Sequence, residues 1–214
     1  MVTGANAGIG KEITTFLVSK GATVYMICRN EEKGKASRQA ISEKAGIDSE
    51  QRLPLLICDC SLESDVRKMW SQFTEERKRF DGSASGVFVP KLDGLICNAG
   101  ALMNTRTLTA EGLEVTFAAH LLFGTYLLGS LALPSLTSTS GRLVIVSSGG
   151  MLNTKFPSWE AATSTGRAIA KYDGQMAYAY AKRGQVTAGA QRARMADPMA
   201  RRRGRLRGTA QQDG

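Results

Sequence analysis

Apolar runs and helical patterns alternate along most of this 214-residue chain. Met1–Thr3 is the stub of a first strand. Thr23–Cys28, Leu53–Cys60, Leu92–Cys97 and Arg142–Val146 follow as short runs rich in β-branched and other apolar residues, the signature of strands. Leu53–Cys60 is nearly continuous, which predicts a strand covered on both faces. Between the strands the apolar spacing changes to that of helices. Lys11–Lys20 is expected to bury Ile13, Phe16 and Leu17 and to stop at Gly21. Asn30–Ala45 is a charged, exposed helix ending at Gly46. Val66, Met69, Trp70 and Phe73 recur at i, i+3, i+4 and i+7 behind Ser61, a candidate cap. Glu111–Leu131 reads as a long, mostly apolar helix, and Gln175 to about Ala190 as a final one. Asp81–Lys91 is a Gly/Ser-containing loop, and 151–174 an irregular excursion. Strand and helix in strict alternation predict βαβ units: one α/β domain, doubly wound around a parallel sheet, over residues 1–190.

Composition changes this picture at one end only. Hydrophobic residues make up 43% and charged ones 22%, ordinary for a globular chain. The net charge of +9 is uneven, because eight of the arginines fall between Arg183 and Gly214. Residues 191–214 therefore read as a basic appendage with too little apolar surface to offset its ordering entropy, and disorder is expected there. The cluster Arg201-Arg202-Arg203 admits a weak, salt-sensitive contact with nucleic acid or an acidic partner. It lacks the interleaved aromatics of a stacking platform, so no specific nucleic acid is expected. The apolar stretch Phe117–Leu133 ends at Pro134, short of the ~20 residues of a bilayer span, and a buried helix is expected instead. Cys28, Cys58, Cys60 and Cys97 lie inside strand-like runs without CxxC spacing, and the chain has a single histidine. That pattern predicts no metal site and four reduced thiols in a cytoplasmic setting. With no basic-then-apolar leader read before the first strand, secretion is not expected.

Three stretches carry candidate chemistry. Glycines at Gly4, Gly8 and Gly10 stand between the first strand and the first helix. Such a turn lets a pyrophosphate approach a helix N-terminus, where free N–H groups and the dipole favour negative charge. Tyr178 and Lys182 are four apart on a helix and so share one face. A phenol titrates near pH 10, and a neighbouring cation favours its ionised form. Tyr180 points elsewhere. Ser148 follows a parallel strand at its carboxyl end, where open α/β sheets place their ligands.

Together with Asp59 after the third strand and Asn98-Ala99-Gly100 after the fourth, these motifs resemble the short-chain dehydrogenase/reductase superfamily. Ser147–Leu152 and Tyr172–Arg183 resemble a relative of its retinol-dehydrogenase-like branch, and the likeness covers roughly residues 1–190. The resemblance implies a Rossmann-type fold and an NAD(P)-dependent oxidoreductase that interconverts an apolar alcohol and its carbonyl compound by hydride transfer. Tyr178 would be the general acid or base, Ser148 would hydrogen-bond the reacting oxygen, and Lys182 would support Tyr178 and hold the ribose. Thr3, Gly4, Asn6, Gly8, Ile9, Gly10, Arg29, Asp59, Cys60, Asn98, Ala99 and Gly100 would line the cofactor with Tyr178 and Lys182. Arg29 after the second strand can meet a ribose 2′-phosphate, favouring NADP over NAD. A homodimer through the Glu111–Leu131 and Gln175–Ala190 helices is a further implication.

The chain also departs from the family pattern. His120 stands where relatives place an Asn that completes the catalytic set. The first strand is short, and the sixth and seventh strands are missing. These departures predict an incomplete sheet in a truncated chain, and leave open a catalytically silent homologue of such an enzyme.

Overall fold

The computed structural model describes residues 1–82, 88–165 and 172–196, with side chains described as far as 189. The basic tail and its arginine cluster lie outside the described residues. The sheet runs β3-β2-β1-β4-β5, all parallel. Its strands are β1 (Val2–Thr3), β2 (Met26–Cys28), β3 (Leu55–Ile57), β4 (Gly94–Cys97) and β5 (Arg142–Ile145). The order reverses between β1 and β4, and there the carboxyl ends of neighbouring strands part to leave a crevice. This is the doubly wound architecture that the alternation predicts, with five strands among the described residues.

Helices α1 (Gly8–Ser19), α2 (Glu31–Ala45), α3 (Ser49–Arg52) and α4 (Glu63–Asp81) fill the first half. The second half carries a π-helix (Phe117–Leu127) continuing into α5 (Leu128–Ser138). It then forms a 3₁₀ turn (Gly149–Asn153), α6 (Trp159–Thr163) and α7 (Gly174–Ala196). The core divides between the faces of the sheet. One cluster joins Val2, Val18, Met26, Ile41 and Leu53; the other joins Ile27, Leu56, Phe73, Leu95, Phe123 and Leu128.

Several local expectations are corrected. Helix α1 buries Gly10, Thr14 and Val18, while Phe16 is 60% exposed. Small residues at i, i+4 and i+8 let the helix lie close to the sheet. The Thr14 hydroxyl donates to the Gly10 carbonyl at 2.8 Å, so its burial leaves no polar group unpaired. Ser61 does not cap α4; its hydroxyl donates to Asp59 Oδ1 at 2.7 Å. Glu111, from a distant loop, takes the Glu63 and Ser64 N–H groups instead, at 2.8 and 3.1 Å. Strand β3 is an edge strand, so Leu56 is buried but Ile57 is 41% exposed.

The long helical segment begins later than its apolar pattern, because Glu114 caps it through the Thr116 and Phe117 N–H groups. It also continues through Pro134 to Ser138, since Leu128, Ala132, Ser135 and Leu136 are packed on both sides of the proline. Phe117–Ser138 thus spans 22 residues and contains an 18-residue window of mean hydropathy 1.4, long and apolar enough to cross a membrane by length and composition. Half of that window is buried inside the fold.

At the opposite end of the sheet from the crevice, the Met1 ammonium donates to the Gly94 carbonyl at 2.8 Å. Burial holds its pKa down to about 5.

Candidate active site

Strand β1 ends at Thr3, whose hydroxyl accepts the Asn98 and Ala99 N–H groups at 2.9 and 2.8 Å. The Asn98 amide returns the link, donating to the Thr3 carbonyl at 3.0 Å. This lacing fixes the loop after β4 against the glycine turn, and it commits the Asn98 amide nitrogen to the protein rather than to a ligand. Gly4 and Gly8 have positive φ, +65° and +50°. A Cβ on Gly10 would stand 2.2 Å from the Gly4 carbonyl oxygen and 2.5 Å from Asn98 Nδ2, so that position admits only glycine. A Cβ on Gly8 would meet nothing within 4 Å. The turn is closed on its inner wall and open on its outer one, directly at the start of α1. Asn6 is half-buried beside it and Ile9 is 64% exposed on the first turn.

Arg29, Asp59, Cys60 and Cys28 stand around this turn in different settings. Arg29 is exposed and its guanidinium lies 3.9 Å from Asp59 Oδ2. Such a contact is worth at most about 1 kcal/mol. Asp59 also accepts the Ser61 N–H, at 2.9 Å. Cys60 is turned into the core against the site of Gly124, which leaves any contact with a nucleotide to its backbone. Cys28 is buried under the turn, and burial pushes its thiol up to about 11. All four cysteines are buried and none is in a disulfide, and no group of three metal-ligating side chains occurs among the described residues.

The second half of the site hangs on Lys182. Its side chain is 3% exposed and its ammonium donates to the Val146 carbonyl at 2.7 Å, just past β5. The Ser147 hydroxyl donates to the Lys182 carbonyl at 3.0 Å, so both ends of this residue tie α7 to the end of the strand. The ammonium stands 5.5 Å from the centre of the Tyr178 ring, one turn earlier, as the spacing requires. Burial lowers the Lys182 pKa to about 8, which still leaves a cation at neutral pH. Ser148 Oγ accepts the Gly150 N–H at 3.3 Å, leaving its own hydrogen free to donate. The 3₁₀ turn that Ser148 opens packs against α7.

His120 completes this half. Its ring lies on the bare Cα of Gly100, where a Cβ would come within 1.7 Å of Cε1. Nε2 is 3.0 Å from the Ala101 carbonyl, so it carries the proton. The ring meets Tyr178 edge to face, centroids 5.1 Å apart. Burial, and then the Lys182 charge, hold its pKa down to about 4, so the imidazole is neutral at pH 7. The structure therefore brings Tyr178, Lys182, His120 and Gly100 together. Ser147 was not singled out in the sequence and owes its part to standing beside Ser148. Glu114 is also a residue that the pattern hides: it accepts the Tyr172 hydroxyl at 3.1 Å and so docks the chain just before α7.

The depressed histidine has a consequence for stability. A base whose folded pKa lies below its unfolded one binds its proton mainly in the unfolded chain, so stability falls as pH drops. For His120 the window runs from about 6.5 to about 4 and is worth about 3 kcal/mol. Thermal melts from pH 7 to 4 are expected to show a loss of Tm. His120→Asn is expected to flatten the lower part of that curve, and an unchanged slope would exclude His120 as its source.

The family model for short chain dehydrogenase matches residues 1–197. Dehydrogenase/reductase SDR family member 12 of Bos taurus is 36% identical over 191 residues, covering 87% of this chain and 52% of its own length. Retinol dehydrogenase 11 of Homo sapiens is 36% identical over 149 residues, covering 69% of this chain and 42% of its own. The chain thus spans about half the length of the curated relatives it matches. Among solved structures, a metagenomic short-chain oxidoreductase in complex with NADP is similar in fold, with a TM-score of 0.61 and 23% identity. That likeness covers 91% of this chain and 75% of the other. On the match over nearly its whole described length, this chain belongs to the short-chain dehydrogenase family.

Proposed function

We propose that this chain carries an NADP-dependent oxidoreductase site that interconverts an apolar alcohol and its carbonyl compound. The observation that carries the reading is the placement of Lys182, buried and bonded to the end of β5, over the face of Tyr178. The open outer wall at Gly8 fits a pyrophosphate at the start of α1. A reduced nicotinamide, when bound, supplies the hydride.

The chain's residues do the rest. In the reduction, Ser148 Oγ and the Tyr178 hydroxyl donate to the substrate oxygen, and Tyr178 gives up its proton as that oxygen gains charge. The Lys182 ammonium puts positive charge over the Tyr178 ring as the phenol loses that proton, and its remaining N–H groups are free for a ribose hydroxyl. In the oxidation the same proton returns to Tyr178. Leu102, 46% exposed, and Leu152, 72% exposed, follow the Gly100 loop and Ser148, which favours an apolar substrate. Retinol dehydrogenase 11 and its relatives among the matches agree with that choice.

The preference for NADP rests on Arg29. Its loose pairing with Asp59 is weak enough to yield to a 2′-phosphate, since a charge-assisted pair contributes about 1.5–3 kcal/mol. Arg29→Ala is expected to weaken NADPH binding ten- to a hundredfold in a fluorescence titration, with NADH binding little changed. Equal losses for both cofactors would refute the assignment. Turnover of NADPH with a panel of apolar aldehydes and ketones tests the reaction itself.

A further inference from the structure

We propose that Gln185 is a positioning residue for this site: it holds the His120 carbonyl and so sets where the His120 ring stands against Gly100 and Tyr178. The effect on turnover rests on the oxidoreductase reading; the geometry does not. Gln185 lies on α7 one turn beyond Lys182 and is 1% exposed. Its Nε2 donates to the His120 carbonyl at 2.8 Å and to Thr125 Oγ1 at 2.9 Å. The Thr125 hydroxyl donates to the same carbonyl at 2.6 Å. One carbonyl oxygen thereby takes two side-chain donors from two different elements. The amide cannot turn over without setting Oε1 against that oxygen, so its orientation is fixed.

This grip falls within the π-helix. A π-helix is an uncommon, wide-wound form, and a Cβ on Gly124 would stand 2.0 Å from the Ala119 carbonyl oxygen. The winding over this turn fixes the direction in which the His120 side chain leaves the backbone. On its far side that ring lies against the Gly100 Cα, the Ala101 carbonyl and the Tyr178 ring. Gln185 therefore closes a loop from α7 through the π-helix to the strand-end loop and back to α7. Among the described residues, neither Gln185 Oε1 nor His120 Nδ1 has a hydrogen-bond partner, although both are buried. Among the described residues, the charged and titratable groups facing the ring are Lys182 and Tyr178.

The chain has one histidine, so ¹⁵N-labelled imidazole reports this position without ambiguity. Wild type is expected to show a neutral ring protonated at Nε2 that resists titration down to about pH 5. Gln185→Leu is expected to mix the tautomers and raise the titration midpoint by at least about one unit. It is also expected to lower kcat ten- to a hundredfold with little change in KM for NADPH. Thr125→Ser should keep the wild-type spectrum. If Gln185→Leu does not fold, Thr125→Val removes one donor from the same carbonyl at similar volume, and the same changes are expected in smaller measure. A folded variant with an unchanged imidazole spectrum overturns the proposal. Absence of turnover in wild type defeats the oxidoreductase reading alone, because the imidazole signals still decide the role of Gln185.

Discussion

Tyr178→Phe is expected to lower NADPH-dependent carbonyl reduction by about 10² to 10⁴, the usual contribution of a positioned acid or base. The substitution removes one oxygen and keeps the ring. The edge-to-face contact with His120 and the Lys182 ammonium over the ring face both involve the ring itself, so they survive. The Lys182 bond to the Val146 carbonyl is also untouched. Stability and NADPH affinity are therefore expected to stay near wild type while the rate collapses. Tyr180→Phe is the matched control, because Tyr180 faces Met176 and Tyr172 in a different cavity. Steady-state rates with a carbonyl panel, alongside a cofactor titration, separate the two effects. Equal rates for wild type and Tyr178→Phe would remove Tyr178 from the chemistry.

The second large effect is expected at Gly10. Its missing Cβ would overlap the Gly4 carbonyl and the Asn98 amide, and the first of these is backbone that cannot swing aside. Gly10→Ala must therefore push α1 away from β1 or break the lacing of Asn98 to Thr3. Overpacking of this kind costs about 1–3 kcal/mol or more. The same shift moves the helix N-terminus on which a pyrophosphate would rest, so NADPH affinity should fall well over tenfold. Gly8→Ala meets open space and carries only the strain of a positive φ, about 1–2 kcal/mol. Melting temperature and NADPH titration of the two variants check the contrast. A milder effect at Gly10 than at Gly8 would contradict the packing of the turn.

Features set by local spacing were legible in the sequence. The strand alternation yields the parallel sheet, and a four-residue interval puts Lys182 over Tyr178. Features set by distant partners were not. Ser61 has the chemistry of a cap, yet Glu111, 48 residues from Glu63, takes the N–H groups of α4. Phe16 looks like a core residue, but α1 turns Thr14 and Val18 inward with Ile13 and Leu17 packed beside them, and leaves that ring under Lys20. Pro134 reads as a stop, whereas burial on both sides of it carries the helix on. Gln185 was within reach of the sequence, since Tyr178, Lys182 and Gln185 recur at i, i+4 and i+7. A polar residue continuing a functional stripe into the core is the signal that was present.

Hydrogen exchange with and without NADPH tests most directly whether the two halves of this crevice form one nucleotide site. Saturating NADPH is expected to slow exchange in both the Gly4–Glu12 turn and the Gly174–Val186 stretch of α7, at a single shared midpoint. Protection of only one of them, or of neither, would contradict a cofactor lying between the glycine turn and the Tyr178–Lys182 pair.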